Sequence, residues 1–334
     1  MLYSLLRPLL FRLDAETSHH LTLTSLNLSH ALGLNRLFSR AAVGKPCHLM
    51  GLNFPNRVGL AAGLDKNGEY LDALATLGFG FIEVGTVTLR PQTGNPRPRL
   101  FRVPQAQAVI NRMGLNNDGV DSLIKNVRRA RYRGILGINI GMNSDTPIAN
   151  AANDYIACLR KVYPYASYVT INISSPNAPG LRDLQQPTEL DHLLGALKEE
   201  HRKLAKIFGK HLPLALKIAP DLGSQEIAQI ASALLQHGID AVIATNTTVS
   251  RDGIESFSRE SGGVSGAPLN DKSTAVIRQL AVALQGKLPI IGVGGIMNSA
   301  DALQKLDAGA SLVQIYSGLI YRGPELVREL VKAL

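Results

Sequence analysis

A chain of 334 residues with 45% hydrophobic and 18% charged residues carries ample core material, which excludes a disordered or low-complexity protein. Its formal charge of +9 and pI near 9.6 favour anionic partners, unless the excess Lys and Arg serve only solubility. Cys47 and Cys158 are too few for a disulfide framework, and neither they nor the eight histidines fall in a metal-ligand spacing, so no metal is expected and a reducing cytosolic compartment fits.

In the first forty residues Leu2, Leu5, Leu6, Leu9, Leu10 and Leu13 recur at helical spacing with Arg7 and Arg12 interleaved. A second amphipathic run, from Leu21 through Leu26 to Leu32, follows Asp14 and Glu16, with Leu37 and Phe38 beyond it. No uninterrupted apolar run approaches the ~20 residues that span a bilayer. Nor is there a clear small-residue cleavage site, so a signal peptide is a poor reading. With Arg7, Arg12, Arg36 and Arg40 outnumbering the acids, the segment suits a helix lying in an anionic membrane interface. Helices simply packed on the main domain are the alternative.

From about Val58 a different organisation repeats. Strands are predicted at 58–61, 81–86, 135–140, 168–174, 214–219, 241–246, 290–294 and 312–316. Helical patterns follow at 71–77, 120–130, 155–163, 190–207, 227–235, 274–284, 300–306 and 325–331. Eight alternating units argue for a (β/α)8 barrel rather than an open doubly wound sheet, which rarely supplies eight parallel repeats without a second domain. Two segments interrupt the rhythm. Residues 91–111 contain 100–103 and 108–110, a possible small hairpin, and residues 176–187 carry three prolines directly after the fourth strand. The expected organisation is an N-terminal helical segment over 1–40 and a barrel over 41–334.

Polar residues gather where the strands end, the side on which barrel enzymes keep their chemistry. Lys217, Asn139 and Asn172 sit among apolar neighbours, where an unpaired ammonium or amide is costly. One such residue is ordinarily a satisfied core group, but recurrence at corresponding strand ends points to a site. Gly294-Gly295 and Tyr316-Ser317-Gly318 end strands seven and eight, where barrels often bind phosphate with the start of a short helix. Asn-rich ends suit a planar ligand with amide and carbonyl edges, and Lys217 suits an anionic ring. Ser175 has no His partner and no nucleophile elbow; a proton-shuttling hydroxyl or a loop hydrogen bond are its two readings.

At these residues the chain resembles the dihydroorotate dehydrogenase family over nearly its whole length. The matching segments are Gly59-Leu60-Ala61-Ala62-Gly63-Leu64-Asp65-Lys66, Asn111-Arg112-Met113-Gly114, Ile171-Asn172-Ile173-Ser174-Ser175-Pro176-Asn177, Lys217-Ile218-Ala219-Pro220-Asp221-Leu222, Ala244-Thr245-Asn246-Thr247-Thr248 and the two Gly-rich ends. The combination is specific although each piece alone is not. Ser175 and the basic amphipathic start resemble the quinone-linked class, whose soluble relatives carry a Cys as base.

The resemblance implies oxidation of (S)-dihydroorotate to orotate, in de novo pyrimidine biosynthesis, with tightly bound FMN. Ser175 would take the proton from C5 while hydride passes from C6 to flavin N5. By match, Ala62, Gly63, Thr86, Asn139, Asn172, Lys217, Thr245, Gly266, Gly295, Tyr316 and Ser317 would hold the flavin. Lys66, Asn111, Arg112, Met113, Gly114, Leu115, Asn177, Asn246 and Thr247 would join Asn172 around the substrate. A membrane quinone would reoxidise the flavin by way of the N-terminal helices, in a monomer held peripherally on the cytoplasmic side of the cell membrane. Quinone-linked members usually have Phe in place of Leu115, Thr in place of Ala178 and Lys in place of Met142. Without the Thr hydroxyl, the proton route from Ser175 falls to a backbone group or water. Nucleic acid is not an expected partner: there is no Trp, and only 5% of residues are aromatic. The rivals are a flavin barrel that reduces uridine in RNA and a non-catalytic flavin-binding scaffold.

Overall fold

The structure, a computed structural model, describes residues 2–34, 43–255 and 259–334. Arg36, Leu37, Phe38, Arg40 and the expected boundary after residue 40 lie outside the described residues.

Two helices, α1 (Leu2–Leu10) and α2 (Ala15–Ala31), precede a short antiparallel hairpin of β1 (Cys47–Leu49) and β2 (Leu52–Phe54). Then come β3 (Val58–Leu60), α3 (Leu71–Ala75), β4 (Phe81–Val87), β5 (Leu100–Val103), β6 (Ala108–Asn111), α4 (Gly119–Arg129) and β7 (Ile135–Ile140). They are followed by α5 (Ala151–Val162), β8 (Tyr168–Asn172), α6 (Pro187–Phe208), β9 (Leu214–Ile218), α7 (Ser224–His237), β10 (Ala241–Ala244) and β11 (Gly263–Gly266). The chain ends with α8 (Asn270–Leu284), β12 (Ile290–Val293), α9 (Ser299–Asp307), β13 (Leu312–Ile315), α10 (Ser317–Arg322) and α11 (Pro324–Ala333).

Eight strands close a parallel barrel in the order β3, β4, β7, β8, β9, β10, β12, β13, with Val58 of β3 paired to Val313 of β13 at the seam. Every residue of β4, β8 and β9 is buried, as expected of parallel strands filled from within and covered by helices. All eight barrel strands and their helices fall on the predicted segments.

The barrel's lower end is packed with aromatics rather than left open. Phe54, on β2, meets Phe81 edge to face at 5.2 Å, and Phe81 meets Tyr168 at 6.4 Å. Large rings fit there because neighbouring positions carry no side chain: a Cβ on Gly59 would lie 2.3 Å from the Phe81 ring, and one on Gly137 2.2 Å from Tyr168. The β1–β2 hairpin, which has no counterpart among the predicted elements, covers this end.

Of the two readings of the N-terminal helices, the structure shows the packing on the main domain. They are docked on the barrel's upper end: Glu16 pairs with Arg99 on the β5 side, Arg7 Nη1 donates to Tyr321 O at 2.8 Å, and Tyr3 OH donates to Ile320 O. Arg102 donates to the carbonyls of Leu10 and Leu13 and lies 4.7 Å over the Phe11 ring. Leucines stay open on their outer side, with Leu5 73% and Leu32 64% exposed, interspersed on α2 with exposed Thr24, Ser25 and Asn27. No described helix is long and apolar enough to cross a membrane.

Candidate active site

The strand ends border a cleft at the top of the barrel, about 1030 Å³ including its solvent-open mouth. Its floor is built from a buried polar network. Glu83 of β4, fully buried, accepts from Asn139 Nδ2 at 2.8 Å, Tyr168 OH at 2.8 Å and Gln314 Nε2 at 2.9 Å. Three donors satisfy a carboxylate that would otherwise be very costly to bury. Lys217 of β9 lies above it and faces the cleft. Burial pushes the Lys217 pKa down while the Glu83 charge pulls it up. Among the described residues its ammonium has no hydrogen-bond partner. Gln314 Oε1 and Thr247 Oγ1, both lining the cleft, are buried without a partner as well.

One wall is a linked row of amides. Asn172, at the end of β8, donates to Thr86 Oγ1 at 2.8 Å and accepts from Ser174 Oγ at 2.9 Å. Asn246 Nδ2 donates to Ser174 Oγ at 3.0 Å, and Asn177 Nδ2 donates to Asn111 Oδ1 at 3.0 Å. These bonds pre-set the side chains, so a ligand meets amide edges already oriented. Ser175 is buried beside them, and its Oγ accepts from the Asn177 N–H at 3.3 Å. Lys66 enters from the end of β3. Burial pushes its pKa down to about 8, with Glu16 and Asp65 opposing and Arg99 adding to the fall.

Arg182 ties this wall together. It donates to Ser174 O at 3.1 Å, to Thr247 O at 2.9 Å and to Asp221 at 3.0 Å, while Lys272 holds the other Asp221 oxygen at 3.1 Å. Neither Arg182 nor its role was among the residues expected from sequence. The signal was an Arg in the Pro-rich loop after β8 and an Asp three residues beyond the end of β9, but nothing local pairs them.

The roof is a three-stranded antiparallel sheet of β5, β6 and β11, in which Asn111 pairs with Gly263 and Ala108 with Gly266. Its β5–β6 hairpin matches the expected one; the third strand, which brings Ser265 and Gly266 to the cleft, was not foreseen. Ser317 Oγ donates to Ser265 Oγ at 2.9 Å, closing the roof onto α10.

The far end is a glycine turn. A Cβ on Gly295 would lie 2.4 Å from Asn270 N, and one on Gly318 2.2 Å from Ile296 O, so bare backbone is the only fit. The N–H groups of Ser317 and Gly318 open α10 and have no acceptor inside that helix. Bare N–H groups at one end, an unpaired ammonium and unpartnered amide and hydroxyl oxygens in the middle, and ordered amides at the other end fit a planar polar ring with a phosphate tail beside a small substrate.

Of the residues expected from sequence, all but two line the cleft. Asn139 lies beneath the floor, its amide spent on Thr86 and Glu83. Arg112 points away: it pairs with Glu260 at 2.7 Å, donates to Pro98 O at 2.9 Å and stacks 4.6 Å over Phe101, pinning the roof. Leu115 lines the cleft, whereas Ala178 and Met142 are buried in the apolar core. Among the described residues no group of three or more His, Cys, Asp or Glu is placed to hold a metal ion.

The dihydroorotate dehydrogenase family profile matches residues 46–334. The chain is 66% identical over its whole length to dihydroorotate dehydrogenase (quinone) of Nitrosomonas eutropha, covering 98% of that protein. It is 60% identical to the protein of the same description from Nitrosospira multiformis, covering 96% of it. Among solved structures it is similar to DHODH of Eimeria tenella in complex with ferulenol, with a TM-score of 0.85 and 36% identity over 95% of this chain and 90% of that one. The barrel, the cleft at its upper end and these likenesses together assign the chain to a family: it belongs to the dihydroorotate dehydrogenases.

Proposed function

We propose that the chain oxidises (S)-dihydroorotate to orotate, with FMN as resident cofactor and a membrane quinone as final electron acceptor, in de novo pyrimidine biosynthesis. The observation that carries the reading is the conjunction, in one cleft, of a buried serine, a row of oriented asparagines, an unpaired lysine and a bare glycine turn. The relatives described as quinone-linked dihydroorotate dehydrogenases support the substrate and the acceptor.

FMN, when bound, supplies the two-electron acceptor for the hydride leaving substrate C6. Lys217, Thr86, Thr245 and the backbone of Ala62 and Gly63 would hold its ring, and Gly266, Gly295, Tyr316 and Ser317 its tail. Asn139 contributes from beneath, by fixing Thr86. Asn111, Asn172, Asn177 and Asn246 would read the amide and carbonyl edges of dihydroorotate, and Lys66 its carboxylate. Ser175 would take the C5 proton, which the adjacent C4 carbonyl acidifies. Its Oγ accepts from the Asn177 N–H, which orients the hydroxyl and stabilises negative charge on its oxygen. Thr247 offers a free hydroxyl for the remaining substrate edge. Arg112 would act by holding the roof over the substrate.

Residues 1–40 would form the membrane and quinone-access segment and residues 41–334 the catalytic barrel, in a monomer bound peripherally at the cytoplasmic face. The open leucines of the docked helices support this reading.

The test is the visible spectrum of the purified protein before and after anaerobic addition of dihydroorotate. Bleaching of a flavin band is expected. A flavin band that stays unchanged refutes the substrate.

A further inference from the structure

Behind the glycine turn stands a buried ammonium that the reaction does not use. Lys305, on α9, is wholly inaccessible. Its Nζ donates to Asn270 O at 2.7 Å, Ser273 Oγ at 2.6 Å and Thr274 Oγ1 at 2.5 Å, which uses all three of its protons. Among the described residues no carboxylate is bonded to it; Asp301 and Asp271 act on it only at longer range. Burying a cation without a bonded counter-ion is expensive, and a methionine would fill the same space at less cost.

Its three acceptors all belong to the first five residues of α8, the surface against which the glycine turn is pressed. A Cβ on Gly294 would lie 2.8 Å from Ser273 Oγ, and Gly295 packs on the backbone of Asn270. Ser273 has one hydroxyl proton. Two acceptors lie within its reach, Asn270 O at 3.2 Å and Gly294 O at 3.1 Å; Asn270 O already accepts from Lys305 and Thr274, which favours Gly294 O. A chain of hydrogen bonds therefore runs from the ammonium through Ser273 to the Gly294–Gly295 peptide. Such a chain polarises the peptide and makes the Gly295 N–H a stronger donor toward the cleft.

We infer that Lys305 is a positioning residue for a phosphate held at the Gly294–Gly295 turn, acting through Ser273. The inference rests on the reading that FMN places its phosphate there. Burial pushes the Lys305 pKa down to about 7, against the pull of Asp301 and Asp271, so an anion in the turn would favour its charged form.

The test compares flavin retention in the wild-type holoenzyme and in the Lys305→Met and Ser273→Ala holoenzymes. Release of FMN is followed by the rise of free-flavin fluorescence, and each protein is then reloaded with riboflavin, which lacks the phosphate. Lys305→Met should lose FMN affinity at least about tenfold, the size of a weakened hydrogen bond to a charged group, with riboflavin affinity little changed. Ser273→Ala should move the same way by less. Equal weakening of both flavins, or of neither, overturns the inference and leaves Lys305 a packing residue. Should Lys305→Met fail to fold, an unchanged preference for FMN in Ser273→Ala overturns it instead. A wild-type protein that holds riboflavin as tightly as FMN would sink the phosphate reading itself.

Discussion

Beside the packing of Leu23 in the core, one buried ion pair attaches α2 to the barrel, and Glu16→Gln isolates it. Glu16 takes Arg99 Nη2 at 2.8 Å and Nε at 3.2 Å, both side chains being 7% exposed or less. The amide keeps the shape but removes the charge and one acceptor, stranding a buried guanidinium. Breaking such a pair costs about 3–5 kcal/mol. The lower figure is expected here, because Arg99 keeps the carbonyls of Thr93 and Asn95. The Arg97 contact, 67% exposed on the arginine side, adds little. A cost of about 3 kcal/mol raises the undocked fraction of α2 roughly a hundredfold. Amide hydrogen exchange read by mass spectrometry should show that loss of protection across α2, with the barrel strands unchanged. Burial pushes the Glu16 carboxyl up, but the bonds and charges of Arg99 and Arg97 outweigh it and hold the pKa below its ordinary 4.5. A depressed carboxyl stabilises above the ordinary value and loses that contribution as pH falls through the folded one. Docking in the wild type should therefore weaken in acid, and in the variant it should not. Unchanged exchange in α2 at neutral pH would refute the reasoning.

Ser175→Ala should keep its flavin and lose turnover by roughly 100- to 10 000-fold, the usual worth of a positioned base; unchanged turnover with dihydroorotate would remove Ser175 from the chemistry. Lys217→Met should slow flavin reduction by roughly a hundredfold in stopped-flow traces, since a preorganised charge is lost where negative charge develops; normal reduction with full flavin content contradicts this. Lys66, with a pKa pushed down to about 8, gives up its proton as pH rises through that value and with it the attraction for a substrate carboxylate. The kcat/KM profile should fall above about pH 8, and Lys66→Arg should carry the fall to higher pH. A profile that stays flat in the wild type, or does not move in the variant, assigns the carboxylate elsewhere.

The barrel was legible because each of its strands is a short apolar or β-branched run and each following helix has its own apolar stripe. The ends were less so. The fourth strand reads as 168–174 but stops at Asn172, because that residue's side chain takes the Ser174 N–H at 3.2 Å and bends the chain away from the ladder. The third strand of the roof is invisible locally: Gly263-Val264-Ser265-Gly266 has too little side chain to show a period and pairs with a segment far back in the chain. The β1–β2 hairpin is similar, since three-residue strands give no periodicity and its purpose, covering Phe81 and Tyr168, exists only once the barrel has closed. Within the site, the strand-end residues were readable as a recurring class. Glu83 and Gln314 were not, because buried polar groups on strands look like isolated exceptions until the network that satisfies them is assembled. Asn139 was expected at the cleft from its place at a strand end, yet its amide turns down to Glu83 rather than up into the cleft.

In most barrels of this kind each loop above the strands can lengthen, shorten or be replaced by itself, which is how one scaffold acquires many specificities. Here the loops after β4 and β10 share the β5, β6 and β11 sheet, and Arg112 clasps them together through Glu260. They form a single heritable part made of two distant stretches of sequence. A transplant of either stretch alone leaves a sheet edge without its partner, so successful loop grafts in this chain should come only as matched pairs, and substrate preference should be harder to drift here than the open architecture beneath would suggest.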